Sequence, residues 1–154
     1  MSKWSLYILS GTLIASLSAC VASERRVADV VQTLRHPDGV TLVYDLTVQG
    51  QGSQDACFST VFYGLYGTET ENYEDIATFY EDHLVADGWQ RVHPDWRPND
   101  GLFFERHPGF YLSIETDVHV SHIPRDTIER AQAEYDFLYL IVISYRDWLA
   151  RMRC

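Results

Sequence analysis

The fold is decided by the stretch Asn72-Tyr-Glu-Asp-Ile-Ala-Thr-Phe-Tyr-Glu-Asp-His-Leu-Val-Ala86. Its larger apolar and aromatic side chains recur at helical spacing and form one stripe, made of Ile76, Phe79, Tyr80, His83 and Leu84. Asn72 or Thr70 can cap the first turn, and Gly88 can end the last turn in a left-handed conformation. The pattern therefore predicts a helix over about 72–86 that lies on a sheet.

The segments on both sides of this helix have the composition of strands. Six are predicted, namely Val40–Val48, Ala56–Tyr63, Trp89–His93, Leu102–His107, Phe110–Val120 and Phe137–Ser144. Pro108-Gly109 favours a tight hairpin, and Thr127–Glu134 favours one or two helical turns capped by Asp126. The predicted fold class is α+β, a mostly antiparallel sheet of five to six strands covered by one main helix. The predicted order is β-β-α-β-β-β-(α)-β.

Length and charge narrow the possible functions. The 154 residues provide one domain, and 46% hydrophobic residues are enough for a packed core. A formal net charge of -10 argues against a nucleic-acid partner, because phosphate binding depends on clustered Lys and Arg. Lys3 is the only lysine, so catalysis by a lysine in the domain is excluded.

The N-terminus carries the most specific motif. Lys3 is followed by an uncharged stretch from Trp4 to Ser23, which contains Leu17-Ser18-Ala19-Cys20. This motif closely resembles the lipobox of bacterial lipoproteins. The resemblance implies that residues 1–19 are a signal peptide that is removed. It also implies that Cys20 carries a diacylglycerol and that its new N-terminus is acylated, with a fatty acid such as palmitate.

An uncleaved membrane helix is the alternative interpretation of this stretch, since about 20 uncharged residues can cross a bilayer. Arg25 and Arg26 follow the segment, which is an unfavourable charge balance for leaving the rest of the chain outside. Either interpretation places the domain on the extracytoplasmic side, periplasmic or at the cell surface. The predicted organisation is a signal peptide over 1–19, a lipid-anchored tether and short helix over 20–36, and the α+β domain over 37–154.

Two further cysteines, Cys57 and Cys154, remain in the domain. An even pair in an exported protein is a candidate disulfide. Two separate thiols are the alternative. No catalytic role is predicted for either cysteine, and the familiar nucleophile and phosphate-loop motifs are absent from the sequence.

Candidate binding residues follow the main helix. Trp89, His93, Trp96 and Arg97 combine aromatic rings with a cation and can line a ligand or peptide groove, or they can pack as core and loop. Glu81 and Asp82 belong to an acidic helix face that can attract a basic partner or simply face solvent.

A divalent-ion site is the weaker candidate. Asp117 and His119 alternate on the predicted strand 110–120, so they share a face, and His122 follows shortly after. Carboxylate and imidazole groups suit zinc, although residues two apart on a strand are too widely spaced for a tight site. A polar, solvent-facing side of the strand is the alternative.

The helix-to-strand stretch with Phe79-Tyr80 and Gly88-Trp89 is similar to one in small exported lipoproteins of unassigned function. We therefore expect a membrane-anchored lipoprotein that acts as a binding or accessory module, through protein–protein contacts in a cell-envelope assembly. The alternative is a lipoprotein that binds a small ligand or a divalent ion, and an envelope enzyme is the least supported. The expected lipid partner is the membrane, through acylated Cys20, and no other cofactor is expected.

Overall fold

A computed structural model describes residues 22–49, 60–70, 72–93, 101–118 and 122–146. It confirms the predicted fold class. Six antiparallel strands form one sheet, and three helices pack on it in the order α-β-β-α-β-β-β-α-β. The element order is therefore the predicted one, preceded by the short helix expected near residue 30.

The helices are α1 over residues 22–33, α2 over Tyr73–Ala86 and α3 over Arg125–Glu134. The strands are β1 Thr41–Gln49, β2 Thr60–Thr68, β3 Gln90–Val92, β4 Gly101–Arg106, β5 Phe110–Glu115 and β6 Phe137–Tyr145. Their spatial order is β1-β2-β6-β5-β4-β3. The last strand in sequence thus lies at the centre, which agrees with its continuous apolar run.

Both faces of the sheet are covered by helices of the same chain. The first, which we call the helix-pair face, packs against α1 and α2 and includes Phe62, Tyr66, Leu112, Tyr139, Ile141 and Ile143. The second, which we call the α3 face, includes Val61, Tyr63, Leu65 and Leu140, together with Ile128 and Ala131 of α3. Alternate residues of β2 and β6 supply the two faces, because successive strand side chains point in opposite directions.

Helix α2 is fixed at both ends. The Asn72 side chain accepts hydrogen bonds from the backbone of Glu74 and Asp75, which confirms one of the two predicted caps. At the other end the Trp89 amide donates to the Leu84 carbonyl at 2.9 Å, and Gly88 has φ of 84°. This is a Schellman ending, in which only glycine adopts the left-handed position without strain.

Helix α1 packs on the sheet through its valines. Val27 is 1% exposed and Val30 is 6% exposed, and both join the core of the helix-pair face. The first turn is also tied down, because the buried hydroxyls of Ser23 and Thr60 lie 2.8 Å apart. Helix α1 therefore packs on the sheet from its first turn.

Most boundaries lie within one residue of the predictions, and the larger differences within the described residues are at β5, β2 and α3. Strand β5 ends at Glu115 rather than Val120, because the chain leaves the sheet and buries Val118 on the α3 face. Strand β2 continues past Tyr63 to Thr68, where Gly67 leaves room for the ring of Tyr135. Helix α3 starts earlier, with Pro124 at the cap position, so the prediction of Asp126 as its cap was wrong.

Candidate functional site

A polar cleft of about 270 Å³ lies where the end of α2 meets the β4–β5 hairpin. It is lined by Gly88, Gln90, Glu105, Arg106, His107, Gly109, Phe110 and Tyr111. The left-handed turn at Gly88 directs the chain from α2 into β3, and the hairpin turn at 107–109 closes the opposite side. Two chain reversals therefore form this cleft.

Arg106 is the cation of the cleft. Its guanidinium carbon lies 4.5 Å from the centre of the Trp89 ring and 5.5 Å from the centre of the Phe110 ring. Partial burial lowers the pKa of Arg106, and the nearby Asp87 carboxylate acts in the opposite direction. Because an arginine stays protonated through such a shift, the cleft holds a positive charge stacked on two aromatic rings.

This arrangement suits recognition of a small anionic group. A stacked guanidinium keeps its N–H edge available for carboxylate or phosphate oxygens. The volume is slightly below that of ordinary ligand pockets, so the cleft matches a side chain, a headgroup or a small anion.

The structure brings only part of the predicted groove together. Trp89 is 3% exposed and contacts the cleft residue Arg106 with its ring, whereas His93 is exposed after the end of β3. Trp96 and Arg97 lie outside the described residues. The arginine found at the Trp89 ring is Arg106, not the predicted Arg97. Arg106 lies 17 positions from Trp89 in the sequence and reaches it only through β3–β4 pairing.

The two acids chosen on α2 have different surroundings. Glu81 forms an ion pair with Arg91 of β3, and both side chains are partly exposed. Asp82 is exposed. Glu81 thus links α2 to the neighbouring strand, while Asp82 belongs to the solvent-facing side of the helix.

The predicted ion-binding strand does not form over its full length. Asp117 follows the end of β5 rather than lying on it, so the prediction that it lies on a strand face was wrong. His119 lies outside the described residues, and the His122 ring packs 4.9 Å from the Tyr63 ring. Across the residues described, no three His, Cys, Asp or Glu side chains are grouped to hold a metal ion.

All three cysteines, Cys20, Cys57 and Cys154, lie outside the described residues. The lipid attachment and the disulfide therefore stay predictions.

A second cluster of polar groups connects α1, α2 and the centre of the sheet. Nδ1 of His36 lies 2.7 Å from the Tyr80 hydroxyl, which in turn lies 3.1 Å from the Tyr139 hydroxyl. The His36 ring stacks on Tyr66 at 4.6 Å between ring centres. These contacts tie the segment after α1 to the core.

Burial controls the protonation of this cluster. It lowers the pKa of His36 and raises the pKa of Tyr66 to about 12, with a smaller contribution from the Asp45 charge. Burial likewise raises the pKa of Tyr80, and the adjacent Tyr139 adds to the effect. The side chains of His36, Tyr66 and Tyr80 are therefore neutral near pH 7. The cluster is a set of hydrogen bonds between elements rather than a charged site.

Strand β1 provides a different kind of surface. It is nine residues long and lies at the edge of the sheet, and no other described strand pairs with its outer side. A register shift is confined to Leu42–Tyr44, so the rest of the strand pairs regularly with β2. Leu42 is 47% exposed, one of the few large apolar side chains so exposed among the described residues. Such an edge can accept a further strand.

No protein-family model, curated protein or solved structure matches this chain. Among the described residues, none of the helices combines the length and apolar character required to cross a bilayer.

Proposed function

We propose that this protein is a lipid-anchored, extracytoplasmic lipoprotein that acts as a binding or accessory module by contacting a protein partner in the cell envelope. Anchoring is supported by the resemblance of Leu17-Ser18-Ala19-Cys20 to a lipobox. The signal peptide would be residues 1–19, and acylated Cys20 would insert into the membrane. Several acyl chains on one residue hold a protein stably where a single chain holds it weakly.

The observation that carries the partner-binding role is the edge strand β1. Its outer backbone groups have no strand partner among the described residues, and Leu42 adds an exposed apolar contact. A partner strand would gain backbone hydrogen bonds from β1 and side-chain contacts from the residues that point away from the core. Both faces of the central strands are already covered, so this edge is the surface best suited to binding.

Co-purification with the native anchor in place tests the proposal. Full-length protein extracted from membranes in mild detergent should retain a stoichiometric partner. Leu42→Glu should reduce its recovery by about fivefold or more, because a buried unpaired carboxylate opposes docking. The matched control is Val85→Glu on α2, since Val85 is 53% exposed and lies away from β1. Equal loss in both variants, or no partner with the wild type, would refute the role of β1.

Fractionation tests the anchor separately. Wild-type protein should incorporate labelled palmitate and sediment with membranes, and Cys20→Ala should do neither. A wild-type product that stays soluble with residues 1–19 attached would refute the lipoprotein assignment.

The cleft at Arg106 favours a second candidate, a lipoprotein that binds a small anionic ligand. The supporting observation is that Arg106 lines a polar cleft and holds its guanidinium over the Trp89 ring. Inorganic phosphate or acetate should then raise the melting temperature of the wild type and not that of Arg106→Gln. Equal shifts in the two proteins would argue against this candidate.

A further inference from the structure

The distance between the proposed anchor and the folded domain is very short. Helix α1 is already formed at residue 22, and Ser23 is 2% exposed with its hydroxyl bonded to Thr60. Cys20 precedes Ser23 by only three residues, which span about 10 Å even when fully extended. A lipid on Cys20 therefore leaves the domain no long tether.

The contact with Thr60 places this attachment at one end of the sheet. Thr60 pairs with Tyr145, Tyr145 with Phe110, and Phe110 with Arg106, so these four residues form a row across four strands. Gln49 of β1 extends the row beside Thr60. We call this the anchor end, and we call the opposite end, where β2 finishes and β6 begins, the far end.

The anchor end is rich in arginine although the chain is acidic. It carries four arginines against three acids, Arg25, Arg26, Arg106 and Arg146 against Glu24, Asp87 and Glu105. Arg26 donates to the Tyr145 hydroxyl at 2.6 Å, and the Arg146 amide donates to the Gly109 carbonyl at 2.8 Å. These contacts place Arg26 and Arg146 beside the same row, and Arg146 beside the cleft that contains Arg106.

The far end has the opposite charge. The turns and helix ends that meet there carry six acids against one arginine, Asp38, Glu69, Glu74, Asp75, Glu134 and Asp136 against Arg35. The nine residues of β2 separate the two ends by about 25 Å. This exceeds the Debye length at physiological salt, so a surface at one end scarcely affects charges at the other.

From the short connection and this charge division we infer that the anchor end is the bilayer-facing surface of the protein, with its arginines against anionic phospholipid headgroups. The far end then points away from the membrane, and β1 runs from the anchor end to the far end. The inference rests on the proposed lipidation of Cys20. Charge complementarity favours this orientation, because the acidic far end would be repelled by the same headgroups.

Photo-crosslinking to lipid tests the orientation. Full-length lipidated protein is reconstituted into vesicles of phosphatidylethanolamine and phosphatidylglycerol, with p-benzoylphenylalanine replacing either Gln90 at the anchor end or Thr70 at the far end. Both positions are exposed. We expect about tenfold more crosslinked phospholipid from position 90, because the other probe stands about 25 Å further from the headgroups.

A charge-matched pair tests the contribution of arginine. Arg25 and Arg35 are both exposed, and Arg25 lies in the first turn of α1 whereas Arg35 lies two residues after its last turn. Arg25→Gln should lower the yield at position 90 by about twofold or more in these vesicles, and Arg35→Gln should leave it unchanged. Equal losses would show that general charge, not the anchor end, is responsible.

The length of the connection is tested by inserting a twelve-residue Gly/Ser linker after Val21. The yields at positions 90 and 70 should then approach each other. Equal yields without the linker, in protein that floats with the vesicles, would overturn the orientation while leaving the lipid anchor intact. A protein that does not float would overturn both the anchor and the orientation that depends on it.

Discussion

The helix-pair face and the α3 face are built from alternating residues of the same strands, yet their helical layers are held differently. Helix α2 has a side-chain cap at Asn72 and a Schellman ending at Gly88, and it buries Ile76, Tyr80 and Leu84. Helix α3 has no side-chain hydrogen bond at its Pro124 cap and buries only Ile128 and Ala131. The remaining contacts that the structure gives for α3 include exposed ion pairs, which contribute little.

The difference shows how one sheet can carry a rigid layer and a weaker layer. Apolar burial attaches both helical layers, but hydrogen bonds fix the ends of α2 and join it through Tyr80 to His36 and Tyr139. We therefore expect substitutions that weaken the helix-pair face to cost more stability than matched substitutions on the α3 face.

The largest effect is expected for neighbouring core residues of β6. Ile141 points to the helix-pair face and Leu140 to the α3 face, and both are 0% exposed. Each change to alanine should lower the free energy of unfolding by about 2–5 kcal/mol, with the larger loss at Ile141 because two packed helices restrict collapse of the cavity. Urea denaturation measures both. A larger loss for Leu140→Ala would reverse the proposed ranking of the two faces.

The next effect is expected from the hydroxyl of Tyr80. Tyr80→Phe removes the group that lies between His36 and Tyr139, so each buried partner loses a hydrogen bond. The expected loss of stability is about 1–3 kcal/mol. Tyr44→Phe on the half-buried edge strand is the control and should stay within about 0.5 kcal/mol of wild type. Equal stabilities for Tyr80→Phe and Tyr44→Phe would mean that these hydrogen bonds do not stabilise the packing of α2.

A smaller effect is expected at the helix caps. Asn72→Ala should cost about 1 kcal/mol, because it leaves two amides at the start of α2 without their acceptor. Asp126→Ala, in the first turn of α3, removes only an exposed pairing with Arg130 and should cost less than about 0.5 kcal/mol. Thermal unfolding of the two variants compares the helices directly, and similar losses would contradict the difference in capping.

The smallest effect is a change in pH dependence. Burial lowers the pKa of His36 below 6.5, so on acidification the unfolded chain binds the proton before the folded protein does. The stability contributed by neutral His36 is therefore complete above about pH 6.5 and is lost as the pH falls through that value. His36→Gln should decline less in stability than wild type between about pH 7 and pH 5. A steeper decline in the variant would show that the protonated form is the one that the fold favours.

Local sequence patterns were sufficient to predict those elements whose structure is decided by residues close together in the sequence. The stripe from Ile76 to Leu84 predicted α2 almost to its ends, because the cap at Asn72 and the turn at Gly88 depend on residues a few positions away. Alternation and turn residues likewise predicted the strands and the hairpin at Pro108-Gly109. The ends of strands were less predictable, since the chain leaves β5 at Glu115 only to bury Val118 on another part of the fold.

Local sequence patterns predicted less of the candidate sites than of the fold. Trp89 was recognised as part of a binding region, but its cation proved to be Arg106, which reaches it through the pairing of β3 with β4. The contact between His36 and Tyr80 was likewise not predicted, because the two residues lie 44 positions apart in the sequence. No spacing in a single sequence reports such distances, because they are set by which strands become neighbours.

The sequence by itself determined the α+β class, the order of elements and the apolar stripe of α2, since each depends on side-chain type and short spacing. Only the tertiary structure decided that β6 lies between β2 and β5, and that Arg26 and Arg106 lie at the same end of the sheet. The physical reason is that strand neighbours are selected by burial of the whole core. That selection brings together charges and rings which no local pattern connects.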